Sequence, residues 1–257
     1  MDRFQKLVDI MAKLRAEDGC AWDRVQTHES LKPYLIEEAY EVIEAIDEKD
    51  PAKLKEELGD LLIQVVFHAQ VAKDSGEFDI SDVIEKISAK MISRHPHVFG
   101  DATFDTPEAV VRQWHERKKE EGKLRDSALE GVPKELPSLL RAHRLQSRAA
   151  KVGFDWEKTE DIFDKLEEEL KEFREALGSK DIRDIEDELG DLFFVLVNIS
   201  RSVGVNAEEA LRKTISKFIS RFRHIEMKAA EAGRSLEDMS LAEMDALWDE
   251  AKKGERS

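Results

Sequence analysis

Two pairs of carboxylates spaced three residues apart stand in the first quarter of the chain, Glu38 with Glu41 and Glu57 with Asp60. On an α-helix, residues at that spacing share one face, about a turn apart. Asp50 and Pro51 mark a turn between the pairs, with Glu41 six residues before Asp47 and Glu57 six residues after Pro51. An antiparallel hairpin therefore sets Glu41 opposite Glu57 and, one turn further out, Glu38 opposite Asp60. Four converging carboxylates repel one another and lose hydration, a cost that a cation removes. Oxygen donors without Cys or His favour magnesium, or manganese, over zinc. The spacing points to a divalent-cation site.

The quartet recurs. Glu38, Glu41, Glu57, Gly59 and Asp60 match Glu169, Glu172, Glu188, Gly190 and Asp191 at a constant offset of 131. Lys90, Ser93, Arg94 and His97 match Lys217, Ser220, Arg221 and His224 at 127, and Trp114 and Lys118 match Trp248 and Lys252 at 134. Small drifts of this kind are what loop insertions between repeats produce. A single acidic pair in so acidic a chain carries little information, because solvated helix faces are full of them. Duplication at fixed internal spacing carries more, although duplication preserves structural features as well.

The elements that must position these acids read as four or five helices per copy, with no sustained period-two alternation of a strand. Asp60 runs into LLIQVVFHAQVA and Asp191 into LFFVLVNIS, helices apolar on nearly every side and so expected to be buried. Gly178 to Asp181 mark the second hairpin turn. Between the copies, Gly131, Pro133 and Pro137 break any helical pattern. The expected fold is all-α, two tandem helical-bundle domains at 1–122 and 138–257 joined by a linker at 123–137. Helices apolar all round in domains of this size need cover from another copy, within the chain or across a homodimer.

Charged residues make up 38% of the chain and the formal net charge is -16, so nucleic acid and anionic membranes are expected to be repelled. A small polyanionic substrate would need local cations or metal. Cys20 is the only cysteine, which excludes an intrachain disulfide. With no signal-peptide pattern at the start, that leaves a reducing cytoplasm as the expected compartment. No stretch approaches the roughly 20 apolar residues of a membrane span. A P-loop, an HExxH zinc site and the Glu-x-x-His set of ferritin-like proteins are all missing from the sequence. His68, inside an apolar helix, is expected to be a core residue with satisfied hydrogen bonds.

The arrangement EExxE, turn, ExxD, together with Cys20-Ala-Trp-Asp-Arg-Val-Gln-Thr-His-Glu-Ser-Leu31 and Val152-Gly-Phe-Asp-Trp156, resembles the MazG nucleoside triphosphate pyrophosphohydrolases of the all-α NTP pyrophosphatase superfamily. The resemblance spans essentially the whole chain; one departure is Ala21, where the family usually has Pro. It implies hydrolysis of ribo- and deoxyribonucleoside triphosphates at the α,β bond, with magnesium on the acidic quartets and a homodimeric assembly. It further implies catalytic and metal roles for Glu169, Glu172, Glu188 and Asp191, with Lys217 and Arg221 on the phosphates. Asn198, Trp248 and Lys252 complete the implied substrate contacts, Trp248 stacking on the base. By themselves, Lys217 and Arg221 suit a solvated helix face equally well, and Trp248 a core anchor.

The copies differ: Asn198 corresponds to Phe67 and Arg201 to Gln70, and Pro96 interrupts the first basic helix just after Arg94. The second domain is therefore expected to be the more competent, the first keeping its quartet for metal, for a different nucleotide or for assembly. The alternative from another class is a helical sensing or regulatory protein that binds nucleoside triphosphate without turnover.

Overall fold

The computed structural model describes residues 3–103, 106, 110, 113 and 127–254; Trp114 and Lys118 lie outside them. Among the described residues there are helices and turns and no strand, an all-α architecture. The chain divides into two compact units, Met1–Lys123 and Leu124–Ser257. The first contains α1 (Arg3–Arg15), α2 (Ala21–Val25), α3 (His28–Glu48), α4 (Pro51–Asp74), α5 (Ile80–Arg94) and α6 (Pro96–Phe99). The second contains α7 (Ser138–Ala150), α8 (Thr159–Ser179), α9 (Ile182–Ser202), α10 (Ala207–Glu231), a 3-10 turn at Leu236–Asp238 and α11 (Leu241–Gly254).

The acidic hairpins are α3–α4 and α8–α9, and local chemistry sets where each begins and ends. Thr27 and Ser30 form a reciprocal capping box at the start of α3, which satisfies two otherwise orphaned donors. At the far end Lys49 adopts a left-handed φ of 56°. Asp50 then caps α4, accepting from the N–H groups of Ala52 and Lys53 at 2.9 and 3.1 Å, and Pro51 opens the helix where its missing N–H is harmless. In the second hairpin Lys180 takes the left-handed φ, 62°, and Asp181 accepts from the Arg183 N–H at 2.9 Å. Gly178, expected to open this turn, instead stays inside α8. Ala45 and Ala176, at matching places in the two hairpins, are both buried, since small residues let paired helices approach closely near a tight turn.

In the first unit α1 lays Val8 and Met11 into a core with Leu31, Val66, Phe67 and Val71. In the second, α7 packs on α9, but its one buried residue is the polar Gln146. The apolar run after Asp191 does not vanish into its own unit as its composition suggested. Val195 and Val197 are buried, whereas Phe193 is 52% and Leu196 48% exposed. A helix offers its unit only one stripe of side chains, and the opposite stripe has no neighbouring layer there. The basic helices also differ as the sequence indicated. α5 stops at Arg94 because His95, before Pro96, leaves the helical region with ψ of 57°, while α10 continues unbroken through Arg221. His68 meets His28 through their Nδ1 atoms at 2.8 Å. Its Nε2 is buried without a hydrogen-bond partner, so only one of its nitrogens is satisfied as expected.

Candidate active site

The hairpin register gathers the acids. Carboxylate oxygens of Glu38, Glu41 and Glu57 lie within 4.8 Å of one another, as do those of Glu169, Glu172 and Glu188. Asp60 and Asp191 stand outside these trios, but their charges reach in. Burial pushes the Glu38 carboxyl up from its ordinary value, followed by the charges of Asp60 and Glu41. Desolvation likewise raises Glu57, followed by Glu41 and Asp60, and Glu188, followed by Glu172, Glu169 and Asp191. Folding thus brings like charges together on carboxylates that are, Glu169 and Glu172 apart, half-buried.

A cation fits this donor set. Opposite ligands of an octahedral magnesium ion lie about 4.2 Å apart, close to the spread of each trio, and every donor is a carboxylate oxygen. Glu169 is only 5% exposed; its Oε1 pairs with Lys165 Nζ at 2.7 Å, and its Oε2 is buried with no hydrogen-bond partner. Divalent cation is therefore expected to raise the melting temperature, by about 2.7 kcal/mol of stabilisation at a hundredfold excess over Kd. Because the folded-state pKa values are raised, the repulsion is absent below the ordinary carboxylate range and grows as pH rises through the raised values. The metal-induced gain in Tm should accordingly shrink as pH falls towards the ordinary carboxylate range. Calorimetry that finds the same gain at both ends of that window would refute a carboxylate site.

In the second unit two of the four acids, Glu169 and Asp191, open onto a cavity of about 720 Å³ that they share with Lys165, Asn198, Arg201 and apolar walls from α7, α9 and the segment before α8, while Glu172 and Glu188 stand outside its lining. Arg201 forms a two-pronged ion pair with Asp155, one arm at 3.0 Å, and donates to Asn198 Oδ1 at 2.7 Å. The arginine lowers the Asp155 carboxyl below its usual range, chiefly through those hydrogen bonds. By donating to its oxygen it also fixes the Asn198 amide. Lys165 escaped the sequence reading, although its spacing of three and four residues from Glu168 and Glu169 was the available signal.

The first unit has different residues at the corresponding positions. Counted at the repeat offset, Tyr34 stands where the second unit has Lys165, and Phe67 where it has Asn198. Phe67 is 4% exposed, edge-on to Trp22 at 6.4 Å and under the Arg15 guanidinium at 5.6 Å. Gln70, in place of Arg201, donates to Asp74 at 2.7 Å. The acids are duplicated; these three polar companions are not.

Lys217 and Arg221 on α10, and Trp248 and Lys252 on α11, do not line the cavity. The Arg221 guanidinium lies 5.3 Å from the centre of the Trp248 ring, a cation–π distance, and Phe218 packs on the same ring at 5.3 Å.

Residues 26–99 and 157–226 match the MazG nucleotide pyrophosphohydrolase domain, and each segment contains one complete acidic hairpin. The chain belongs to the MazG family. It carries two MazG domains in tandem and is a nucleotide pyrophosphohydrolase. It is 50% identical over 255 residues to the nucleoside triphosphate pyrophosphohydrolase/pyrophosphatase MazG of Thermotoga maritima, covering 99% of this chain and 97% of that one. It is 42% identical over 260 residues to the nucleoside triphosphate pyrophosphohydrolase of Escherichia coli K12, with 99% of each chain covered. An uncharacterised Bacillus subtilis protein, YabN, is 49% identical over 98% of this chain, which spans 52% of it. The matched MazG segments include Lys165, Asn198 and Arg201 but exclude Gln146, Phe154 and Trp156 of the cavity wall.

Proposed function

We propose that the second MazG unit hydrolyses nucleoside triphosphates to nucleoside monophosphate and pyrophosphate, with magnesium, or manganese, held by Glu169, Glu172, Glu188 and Asp191. The observation that carries this reading is one cavity that joins two acids of the quartet, Glu169 and Asp191, to a lysine, an oriented amide and apolar walls. Bound among these carboxylates, magnesium supplies Lewis-acid neutralisation of the triphosphate oxygens. Lys165 neutralises part of the acidic charge through Glu169 and offers a cation at the cavity edge. The carboxylates orient a water and take its proton; its oxygen bonds to the α-phosphorus as the α,β bridging bond breaks and pyrophosphate leaves with the electron pair. Lys217 and Arg221 supply further positive charge to the phosphates, and Trp248, against which Arg221 packs, stacks on the base with Lys252 one turn beyond.

We take 1–122 and 138–257 as the two domains, with 123–137 as linker, and the assembly as a homodimer. A net charge of -16 disfavours nucleic acid and membrane partners. No helix among the described residues is long and apolar enough to cross a membrane. The single cysteine suits a cytoplasmic setting.

Ion-exchange analysis of products from a nucleoside triphosphate panel, with and without magnesium, tests the reading. Monophosphate and pyrophosphate formed only with metal support it; metal-dependent binding without product would establish the sensing alternative instead. In the same assay Glu41→Gln combined with Asp60→Asn should leave at least half of the turnover, because the first unit lacks the polar companions of the second. A loss comparable to that of second-unit variants would reverse the ranking of the two sites.

A further inference from the structure

Of the eight acids in the two quartets, Glu169 alone is buried, and it comes with its own counter-ion. Lys165, one turn earlier on α8, sets its ammonium 2.7 Å from Glu169 and 2.9 Å from Glu168. The ion pair takes Glu169 Oε1. Oε2 is buried and has no hydrogen-bond partner, so one oxygen anchors the carboxylate and the other is a desolvated acceptor that a cation would satisfy. The first unit is built differently. Tyr34 stands at the position of Lys165, and Lys53, whose charge reaches Glu57, is bonded instead to Glu44 and Glu48 at 2.8 and 2.9 Å. Among the described residues, no ammonium is bonded to an acid of the first quartet.

The two quartets thus differ by one positive charge, and that charge acts in opposite directions on a cation and on a polyanion. A divalent cation set among four carboxylates leaves two negative charges uncompensated in the first unit. In the second it leaves one, because Lys165 supplies the other. The ammonium repels a free cation, since both positive charges share one carboxylate that is only 5% exposed and little water screens them. The same charge favours a polyanion on the loaded site, because less residual negative charge meets the incoming phosphates. We propose that Lys165 is a specificity-determining residue of the second unit. Acting through Glu169, it weakens the binding of free divalent cation and strengthens that of the metal-complexed triphosphate, so that cation and nucleotide enter together. This inference rests on the triphosphate-hydrolysis reading and adds to it the coupling between the two ligands.

The test uses the full chain carrying Glu41→Gln and Asp60→Asn, which removes two donors of the first quartet, with Mn2+ as the probe. Free Mn2+ is read from the electron paramagnetic resonance signal of the hydrated ion. Without nucleotide, adding Lys165→Met should tighten Mn2+ binding about tenfold, the scale of one ammonium–cation repulsion under strong solvent screening. On ATP with saturating Mn2+, the same substitution should raise KM about tenfold by the same charge. Lys165→Arg keeps the charge and should keep both constants close to the parent values. A lysine that merely supports the fold would weaken both ligands when replaced, and circular dichroism checks that the helices persist in each variant. Mn2+ affinity that is unchanged or weaker in Lys165→Met would overturn the assignment. So would a KM for ATP that stays level or falls in step with the Mn2+ Kd. Failure of the parent protein to hydrolyse ATP counts against the reaction itself, an outcome distinct from these, and the Mn2+ titration still decides whether Lys165 opposes the cation.

Discussion

Glu172→Gln and Asp191→Asn should each lower kcat/KM for nucleoside triphosphates by about a thousandfold, equivalent to about 4 kcal/mol of transition-state stabilisation, without lowering the stability of the metal-free protein. The two effects separate because the side chains have opposite consequences for chemistry and for folding. Glu172 lies within 4.8 Å of Glu169 and Glu188, and its charge is the first among those that raise the Glu188 carboxyl after desolvation. Removing it deprives a cation of a donor and at the same time relieves repulsion within the hairpin. Asp191 stands outside the trio but raises Glu188 and lines the cavity, so its loss acts on both as well. Steady-state kinetics with magnesium, paired with thermal melts in chelator, separate the two effects. A variant with full activity at unchanged magnesium dependence removes that residue from the site. A variant that loses activity only because its metal-free Tm collapses would mark the acid as structural.

The second large effect concerns assembly. Leu189, Phe193 and Leu196 follow the four- and three-residue steps of one helix face on α9, and they are 39%, 52% and 48% exposed. Ile215 and Phe218 on α10 are also exposed. Apolar surface of this extent is rarely left in water, and a two-fold partner would cover it with the same surface. Light scattering coupled to size exclusion should give twice the 29.5 kDa chain mass. Phe193→Glu combined with Leu196→Glu should return it to one chain mass. Each lost side chain withdraws roughly 2 kcal/mol of burial and is counted twice by symmetry, which amounts to about five to six orders of magnitude in Kd. A single-chain mass for the unsubstituted protein at micromolar concentration would rule out the homodimer.

Much of this molecule follows from spacing alone. Helix pitch puts Glu38 with Glu41 and Glu169 with Glu172 on one face in any context, and Asp50 with Pro51 sets the turn that aligns Glu57 with Glu41. The all-α class and the repeated hairpins follow from those local relations, because they depend on rise, twist and capping within a few residues. Lys165 was within reach of the same logic through its i,i+4 relation to Glu169, and it was missed because a Lys–Glu step is common on solvated helices. What tertiary structure alone decided involves residues that no local rule relates. Packing left Asp60 and Asp191 outside the tight trios. It turned Phe193 outward while burying Val195, and placed the Arg221 guanidinium on Trp248. Above all, it put Gln146 of α7, Asp155 ahead of α8 and Asn198 of α9 around one cavity. Their separations of up to 52 positions are bridged by helix-on-helix contact, whose geometry depends on the sum of many side-chain volumes and leaves no periodic trace along the chain.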